Sequence, residues 1–152
     1  MPTPKFGDLT LGMEIPALSK GPVSRQRLVE WCAAENDYYE LHYDERVAAR
    51  MGLPGTPIQG TYRYALMSVA LERWLGGAGR LVRISASYRG LDLEGDVITA
   101  KGKVIGLEPR AVGGVATLEV WIENSRGERS TSGEAAVEWS SELRASSVHR
   151  RR

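Results

Sequence analysis

The hydrophobic positions of this chain recur with a helical period in its first half and with a period of two in its second half. Between residues 24 and 75, apolar residues return every three or four positions, as they do on the buried side of a helix. From residue 80 onward, apolar and polar residues alternate, which is typical of strands with one buried face. The order of the two patterns predicts helices first and an antiparallel sheet afterwards, an α+β arrangement.

The first half predicts three helices. The first begins after an N-cap at Ser24 and ends near Asn36. The second is a helix of one or two turns between Asp44 and Gly52. Ser and Asp are preferred N-caps, and Gly often follows a helix end. The third covers residues 61–75. Apolar side chains nearly surround this third helix, so we expect it to be buried.

The second half predicts four strands joined by short turns. Residues 12–23, before the helices, suit an edge strand or an extended arm, because glycines and prolines interrupt them. Strands linked in this way form an antiparallel meander, and the meander is expected to curl around the long helix. The residues predicted to face inward are Val82, Ile84, Ala86 and Tyr88 in the first strand, Ile98, Ala100, Gly102 and Val104 in the second, Ala116, Leu118, Val120 and Ile122 in the third, and Ala135, Val137 and Trp139 in the fourth.

Composition narrows the class of protein. The length of 152 residues with 42% apolar residues suits one domain, over residues 1–139. Residues 140–152 form a Ser- and Arg-rich tail that contains His149 and is predicted to be disordered. The 20 basic and 19 acidic residues are mixed along the chain, so neither nucleic acid nor a membrane surface is an expected partner. One cysteine and two histidines argue against a disulfide and against a metal site. No apolar run suits a signal peptide or a membrane span, so the expected location is cytoplasmic.

Candidate chemistry concentrates between Asp37 and Arg46, where His42 is the only histidine outside the tail. Asp37 and His42 are five positions apart, which on a continuous helix would set them about 140° apart, so they can meet only if the backbone turns between them. A carboxylate and an imidazole held on such a turn can bind one water and share its protons. The structural alternatives are that His42 bonds a backbone carbonyl and that Asp37 ends the first helix.

This stretch carries a resemblance to a known family. Asp37-Tyr-Tyr-Glu-Leu-His-Tyr-Asp44, followed by Gly52 and by Pro57-Ile-Gln-Gly60 at the start of the long helix, resembles the MaoC-like hydratase/dehydratase family of the hot-dog fold, and the resemblance covers about residues 10–139. The positions that match the family's motif are Asp37, Leu41, His42, Asp44, Ala48, Gly52 and Gly60, whereas Tyr39, Glu40 and Gln59 replace its Asn, Pro and His.

The resemblance implies a hot-dog fold, in which a curled sheet wraps one long helix, and an enzyme that interconverts trans-2-enoyl and (R)-3-hydroxyacyl thioesters of coenzyme A or an acyl carrier protein. Asp37 and His42 would be the catalytic pair. The backbone N–H groups of Gly60 and Thr61 would receive the thioester oxygen, with Gln59 beside them and Ser68 at a position where some members carry a serine. No cofactor is implied, and the expected assembly is a homodimer or a heterodimer with a related chain.

Alternatives remain at the level of function and of single residues. A hot-dog acyl thioesterase would keep the fold, and a non-catalytic acyl-binding subunit of a heteromeric hydratase would explain the replaced motif positions. Ser68 could bond back to the carbonyl of Tyr64. Arg63 could contact a phosphate or a partner chain, but a surface arginine that extends its charge into water is the preferred interpretation.

Overall fold

The computed structural model describes residues 3–140, so the predicted tail from residue 141 onward, with His149, lies outside the described residues. A six-stranded antiparallel sheet packs against one long helix, which confirms the hot-dog architecture. The helices are α1 (Arg25–Glu35), α2 (Glu45–Arg50) and α3 (Gly60–Leu75), and the strands are β1 (Leu18–Lys20), β2 (Arg80–Ile84), β3 (Ser87–Tyr88), β4 (Ile98–Pro109), β5 (Gly114–Asn124) and β6 (Arg129–Trp139). None of the helices within residues 3–140 has the length and apolar character of a membrane span.

The predicted helix boundaries are confirmed by their caps. The Ser24 hydroxyl accepts a hydrogen bond from the backbone N–H of Arg27 at the start of α1, and the Asp44 carboxylate accepts one from Arg46 at the start of α2. Asn36 ends α1 in the left-handed conformation with φ of 56°, a geometry that asparagine tolerates better than most residues. These caps depend on neighbouring residues alone, so the local sequence is sufficient to predict them.

The order of strands across the sheet is β1-β4-β5-β6-β2, with β3 also paired to β6. The predicted meander is therefore correct for β4, β5 and β6 but wrong for the first strand, because β2 pairs with β6 and not with β4. The segment between β3 and β4 passes from the strands that pair with β6 to β4, on the opposite side of β5. It is anchored to β6, since the N–H groups of Arg89 and Gly90 both donate to the carbonyl of Ser130. Pairing of distant segments is set by such contacts, which alternation along the sequence does not encode.

The predicted inward face of the first strand is also wrong in part. A register shift between Leu81 and Arg83 turns Val82 outward, where it is 55% exposed, and the strand is interrupted before the β3 pair. Tyr88, expected to face inward, is 46% exposed. The alternating inward residues of β4, β5 and β6 are buried as predicted.

Helix α3 is buried on one side only. The residues that pack into the core are Leu66, Met67, Ala70, Leu71 and Leu75. In contrast, Val69 is 41% exposed and Ser68 is half-buried, so the expected burial holds for the side of the helix that faces the sheet and not for the side around Val69. A single curled sheet can cover one side of a helix, and the opposite side is left for another surface or for ligand.

Candidate active site

The segment between α1 and α2 forms the tight turn that a contact between Asp37 and His42 requires. After Asn36 reverses the chain, the Asp37 carboxylate accepts a hydrogen bond of 3.2 Å from the backbone N–H of Tyr39. The carbonyl of Tyr39 then accepts one from the N–H of His42, at the end of a single 3₁₀ turn over Glu40–His42. This is the irregular backbone that the five-residue spacing predicted.

His42 is half-buried and its ring is fixed by one hydrogen bond. Its Nδ1 lies 2.9 Å from the carbonyl oxygen of Pro57. Because a carbonyl can only accept, Nδ1 donates, and in the neutral imidazole the lone pair then resides on Nε2. Within residues 3–140, Nε2 has no hydrogen-bond partner, so the bond to a backbone carbonyl, anticipated as a structural alternative, leaves the second nitrogen available as a base.

The carboxylate of Asp37 is exposed, and no hydrogen bond joins it to His42 among the described residues. Asp37 lies close enough to Cys32 to act on it electrostatically: burial raises the pKa of the Cys32 thiol, and the negative charge of Asp37 raises it further. Cys32 also accepts a hydrogen bond of 3.1 Å from the side chain of Gln59. Asp37 is therefore linked through Cys32 to Gln59, the residue that precedes Gly60.

Gln59 is a buried link between two helices. Its side-chain amide N–H donates to the carbonyl of Leu28 at 3.2 Å and to Cys32 Sγ, and the side chain is 3% exposed. Among the described residues its Oε1 atom has no hydrogen-bond partner. The role that the structure gives Gln59 is to attach the start of α3 to α1, the helix that leads into Asp37.

Thr61 makes a second link of the same kind. Its hydroxyl accepts a hydrogen bond of 3.1 Å from the indole N–H of Trp31 and donates one of 2.6 Å to the carboxylate of Glu35. Any hydrogen bond that Thr61 donates to a ligand is therefore left to its backbone N–H, because the hydroxyl proton is already donated to Glu35. Together with the bond from His42 to Pro57, these links bring the turn that carries the candidate pair beside the beginning of α3.

The first backbone N–H groups of α3 are open donors. Gln59 at the N-cap makes no side-chain capping bond, and within the described chain the N–H groups of Gly60, Thr61 and Tyr62 have no acceptor. The three donors lie at the positive end of a helix of 16 residues, where negative charge is stabilised. Gly60 also leaves little space beside its Cα, since a Cβ there would lie 3.1–3.3 Å from the ring of Tyr88.

Two further predicted residues take other positions. The Ser68 hydroxyl donates to the carbonyl of Tyr64 at 3.2 Å, which is the structural alternative for that residue, and a role in binding substrate stays a prediction. Arg63 is 7% exposed and forms an ion pair of 3.2 Å with Asp92. The interpretation of Arg63 as a surface residue is therefore wrong.

Asp92 was missed by the sequence interpretation, although its place between two leucines, Leu91 and Leu93, is a signal that could have drawn notice. The side chain is fully buried and accepts hydrogen bonds from Arg63, Asn124 and Ser130. Buried charges need such partners. The result is a polar network that fastens the first turns of α3 to the sheet.

Comparisons with known proteins show which solved structures share this fold. The structure is similar to the (R)-hydratase from A. caviae involved in PHA biosynthesis, with a TM-score of 0.77 and 27% identity over 88% of this chain and 98% of that one. It is also similar to a MaoC-like dehydratase, with a TM-score of 0.81 and 26% identity over 91% of this chain but 43% of that longer one. A ChsH1-ChsH2 complex from Mycobacterium tuberculosis matches at 0.75 and 18% identity, over 86% of this chain and 98% of that one, a likeness of fold. No protein-family model and no curated protein matches the chain.

Proposed function

Since this chain belongs to the MaoC-like hot-dog family, we propose that it is a hydratase/dehydratase that interconverts trans-2-enoyl and (R)-3-hydroxyacyl thioesters. The acyl group would be carried on coenzyme A or on an acyl carrier protein. Asp37 and His42 are the proposed acid–base pair, and the Gly60 and Thr61 amides are the proposed donors to the thioester oxygen.

The observation that carries the proposal is the attachment of the Asp37–His42 turn to the start of α3. One contact attaches the turn itself, from His42 to the Pro57 carbonyl, and two attach α1, the helix that leads into it, from Gln59 to Cys32 and from Thr61 to Glu35. These contacts support a site in which a base with a free nitrogen and an exposed carboxylate act on the same substrate as the uncapped backbone donors. Addition of water to a conjugated thioester needs both, because the acid–base pair activates the water and the donors bind the carbonyl oxygen.

In the hydration direction, Nε2 of His42 accepts a proton from a water as the water oxygen bonds to C3. The electron pair of the C2–C3 double bond moves toward the carbonyl, and the thioester oxygen becomes negative. Asp37 orients the same water by accepting its second hydrogen. The proton then returns from Nε2 to C2, so that atoms and charge balance and no electron carrier is needed.

The developing negative oxygen is met by the backbone N–H groups at Gly60 and Thr61. These donors are fixed before the reaction, so they need no reorganisation as charge develops. Removing one such donor typically costs about 10²–10³ in rate. The base is also held in place before the reaction. The hydrogen bond from Nδ1 to the Pro57 carbonyl fixes the ring of His42 and leaves the basic nitrogen, Nε2, turned away from the backbone.

Two other functions compete with this proposal. A thioesterase would direct the activated water to the carbonyl carbon and release acid and thiol. A non-catalytic subunit of a heteromeric hydratase has one observation in its favour, since Gln59 replaces the family's histidine and serves as a buried link. The ChsH1-ChsH2 neighbour is itself a complex of two chains.

The test is a panel of trans-2-enoyl-CoA and (R)-3-hydroxyacyl-CoA thioesters of different chain lengths, with products read by mass. Hydration predicts a thioester heavier than its enoyl substrate by one water. Free acid and thiol without a hydroxyacyl product would favour the thioesterase. No turnover by the purified chain, followed by turnover when a related hot-dog chain is added, would favour the partner subunit.

We also propose that the chain acts as a homodimer or as a heterodimer with a related chain. The uncovered side of α3 around Val69 and the edge strand β2, with Val82 turned outward, are the surfaces that a second chain would cover. An unpaired strand edge favours such association. Light scattering is expected to give twice the chain mass, and a fully active monomer would contradict the assembly.

A further inference from the structure

Tyr88 lies directly against the residue that offers the proposed oxyanion donor. A Cβ built on Gly60 would approach three atoms of the Tyr88 ring to 3.1–3.3 Å, so the ring covers the Cα of Gly60. Tyr88 is nevertheless 46% exposed, and within the described chain its hydroxyl makes no hydrogen bond to protein. One side of the ring therefore rests on the helix start while the rest is open to solvent or ligand.

The ring is supported from the protein interior. The guanidinium carbon of Arg63 lies 5.2 Å from the ring centroid, within the range of a cation–π contact. Arg63 is itself fixed, since it donates to the carbonyl of Gly90 at 3.0 Å and to the carboxylate of Asp92. Backbone pairing of β3 with β6 holds Tyr88 from the other direction, opposite Thr131.

Tyr88 and α1 contact the start of α3 at different residues. Tyr88 lies against Gly60 and Arg63, whereas the hydroxyl of Thr61 contacts α1, the helix that leads into the Asp37–His42 turn. A thioester carbonyl placed on the Gly60 N–H would therefore lie beside the Tyr88 ring.

From this arrangement we propose that Tyr88 is a specificity-determining residue, whose ring forms a wall of the thioester site beside Gly60 and restricts substituents on C2, the carbon next to the carbonyl. The inference rests on the proposed function, because it takes the Gly60 N–H as the carbonyl donor. C2 is bonded directly to the carbonyl carbon, so a methyl group there would meet a ring that already contacts Gly60. Unbranched acyl groups would pass beside the ring.

Binding of saturated thioesters tests this wall without requiring turnover. Calorimetry would compare butyryl-CoA with 2-methylbutyryl-CoA on the wild type, on Tyr88→Ala and on Tyr88→Phe. We expect the wild type to favour the unbranched ligand, and Tyr88→Ala to shift the ratio of affinities toward the branched one by about tenfold, the lower end of what one methyl group contributes in a pocket. Tyr88→Phe keeps the ring and is expected to keep the wild-type ratio.

The outcomes separate the wall from the proposed reaction. If Tyr88→Ala shifts the ratio but no variant hydrates enoyl thioesters, the hydratase proposal fails and the wall stands. If the wild type hydrates its substrate but the ratio is the same in all three proteins, the wall is wrong and the reaction stands. If neither saturated thioester binds to the wild type, the wall is overturned, and hydration of the enoyl thioesters alone decides whether the reaction stands.

Discussion

The Arg63→Met variant removes the positive partner of a buried carboxylate while keeping much of the side-chain length. Arg63 is 7% exposed and Asp92 is fully buried. After the substitution, Asn124 and Ser130 can still donate to Asp92, but no positive charge remains against it. We therefore expect a large loss of stability from a single change that leaves the apolar core intact.

The magnitude follows from the burial of the pair. Removing one member of a buried ion pair typically costs about 3–5 kcal/mol, because the remaining charge is uncompensated. For a protein of this size each kcal/mol lowers the melting temperature by about 2–4 °C, so the expected decrease is about 6–20 °C. The exposed pair between Arg27 and Glu30 supplies the control, since Arg27→Met is expected to change stability by about 1 kcal/mol or less.

The double variant Arg63→Met/Asp92→Leu removes both charges. Replacing a buried ion pair by apolar residues is often neutral or stabilising, so the double variant should be more stable than Arg63→Met alone despite the additional change. Chemical denaturation of the wild type, both single variants and the double variant gives the coupling free energy of the pair. Additive effects, with the double variant less stable than either single variant, would refute the argument that charge compensation at Asp92 is the dominant effect.

Three more outcomes are expected. Gly60→Ala should reduce turnover by about tenfold or more while changing stability by about 1 kcal/mol, because the new methyl must displace Tyr88 next to the open amides; wild-type kinetics would place the thioester elsewhere. Thr61→Val should cost about 1 kcal/mol in a denaturation experiment yet keep most turnover, since its backbone N–H remains; a rate loss as large as that of a catalytic variant would assign a role to the hydroxyl. Burial raises the pKa of Glu94, but hydrogen bonds, chiefly from Arg25, lower it overall. The stabilisation that Glu94→Gln removes is therefore present above the ordinary pKa of about 4.3, and it is lost as pH falls through the lower pKa of the folded state. A stability difference from wild type that does not shrink below about pH 4 would contradict that assignment.

Local features of the fold could be predicted from the sequence because short-range chemistry determines them. The caps at Ser24 and Asp44 depend on a hydroxyl and a carboxylate close to the N–H groups they accept from. The alternation in β4, β5 and β6 depends on one buried face. The pairing of β2 with β6 and the outward turn of Val82 depend on contacts between distant segments, which alternation does not specify.

The candidate site shows the same division. The motif and the five-residue spacing predicted Asp37 and His42 as the candidate pair, and the start of the long helix predicted the donors at Gly60. The ion pair of Arg63 with Asp92 joins residues 29 positions apart, and the contact of Tyr88 with Gly60 joins the start of α3 to strand β3, which follows it in the chain after β2. The pattern of side-chain types along the sequence does not predict such contacts, because they form only when the sheet brings distant segments together.

The role of Asp37 and His42 as the acid–base pair is tested most directly by the hydration rate of a short trans-2-enoyl-CoA. The rate is followed by loss of absorbance of the conjugated thioester in the wild type and in Asp37→Asn, His42→Gln and Glu40→Gln. Glu40 is an exposed carboxylate on the same turn, so Glu40→Gln is a matched control for loss of charge. Positioned acid–base groups commonly contribute about 10²–10⁴ in rate. We expect a decrease of about 10² or more for Asp37→Asn and for His42→Gln and a wild-type rate for Glu40→Gln. Wild-type rates in correctly folded Asp37→Asn and His42→Gln would contradict this role.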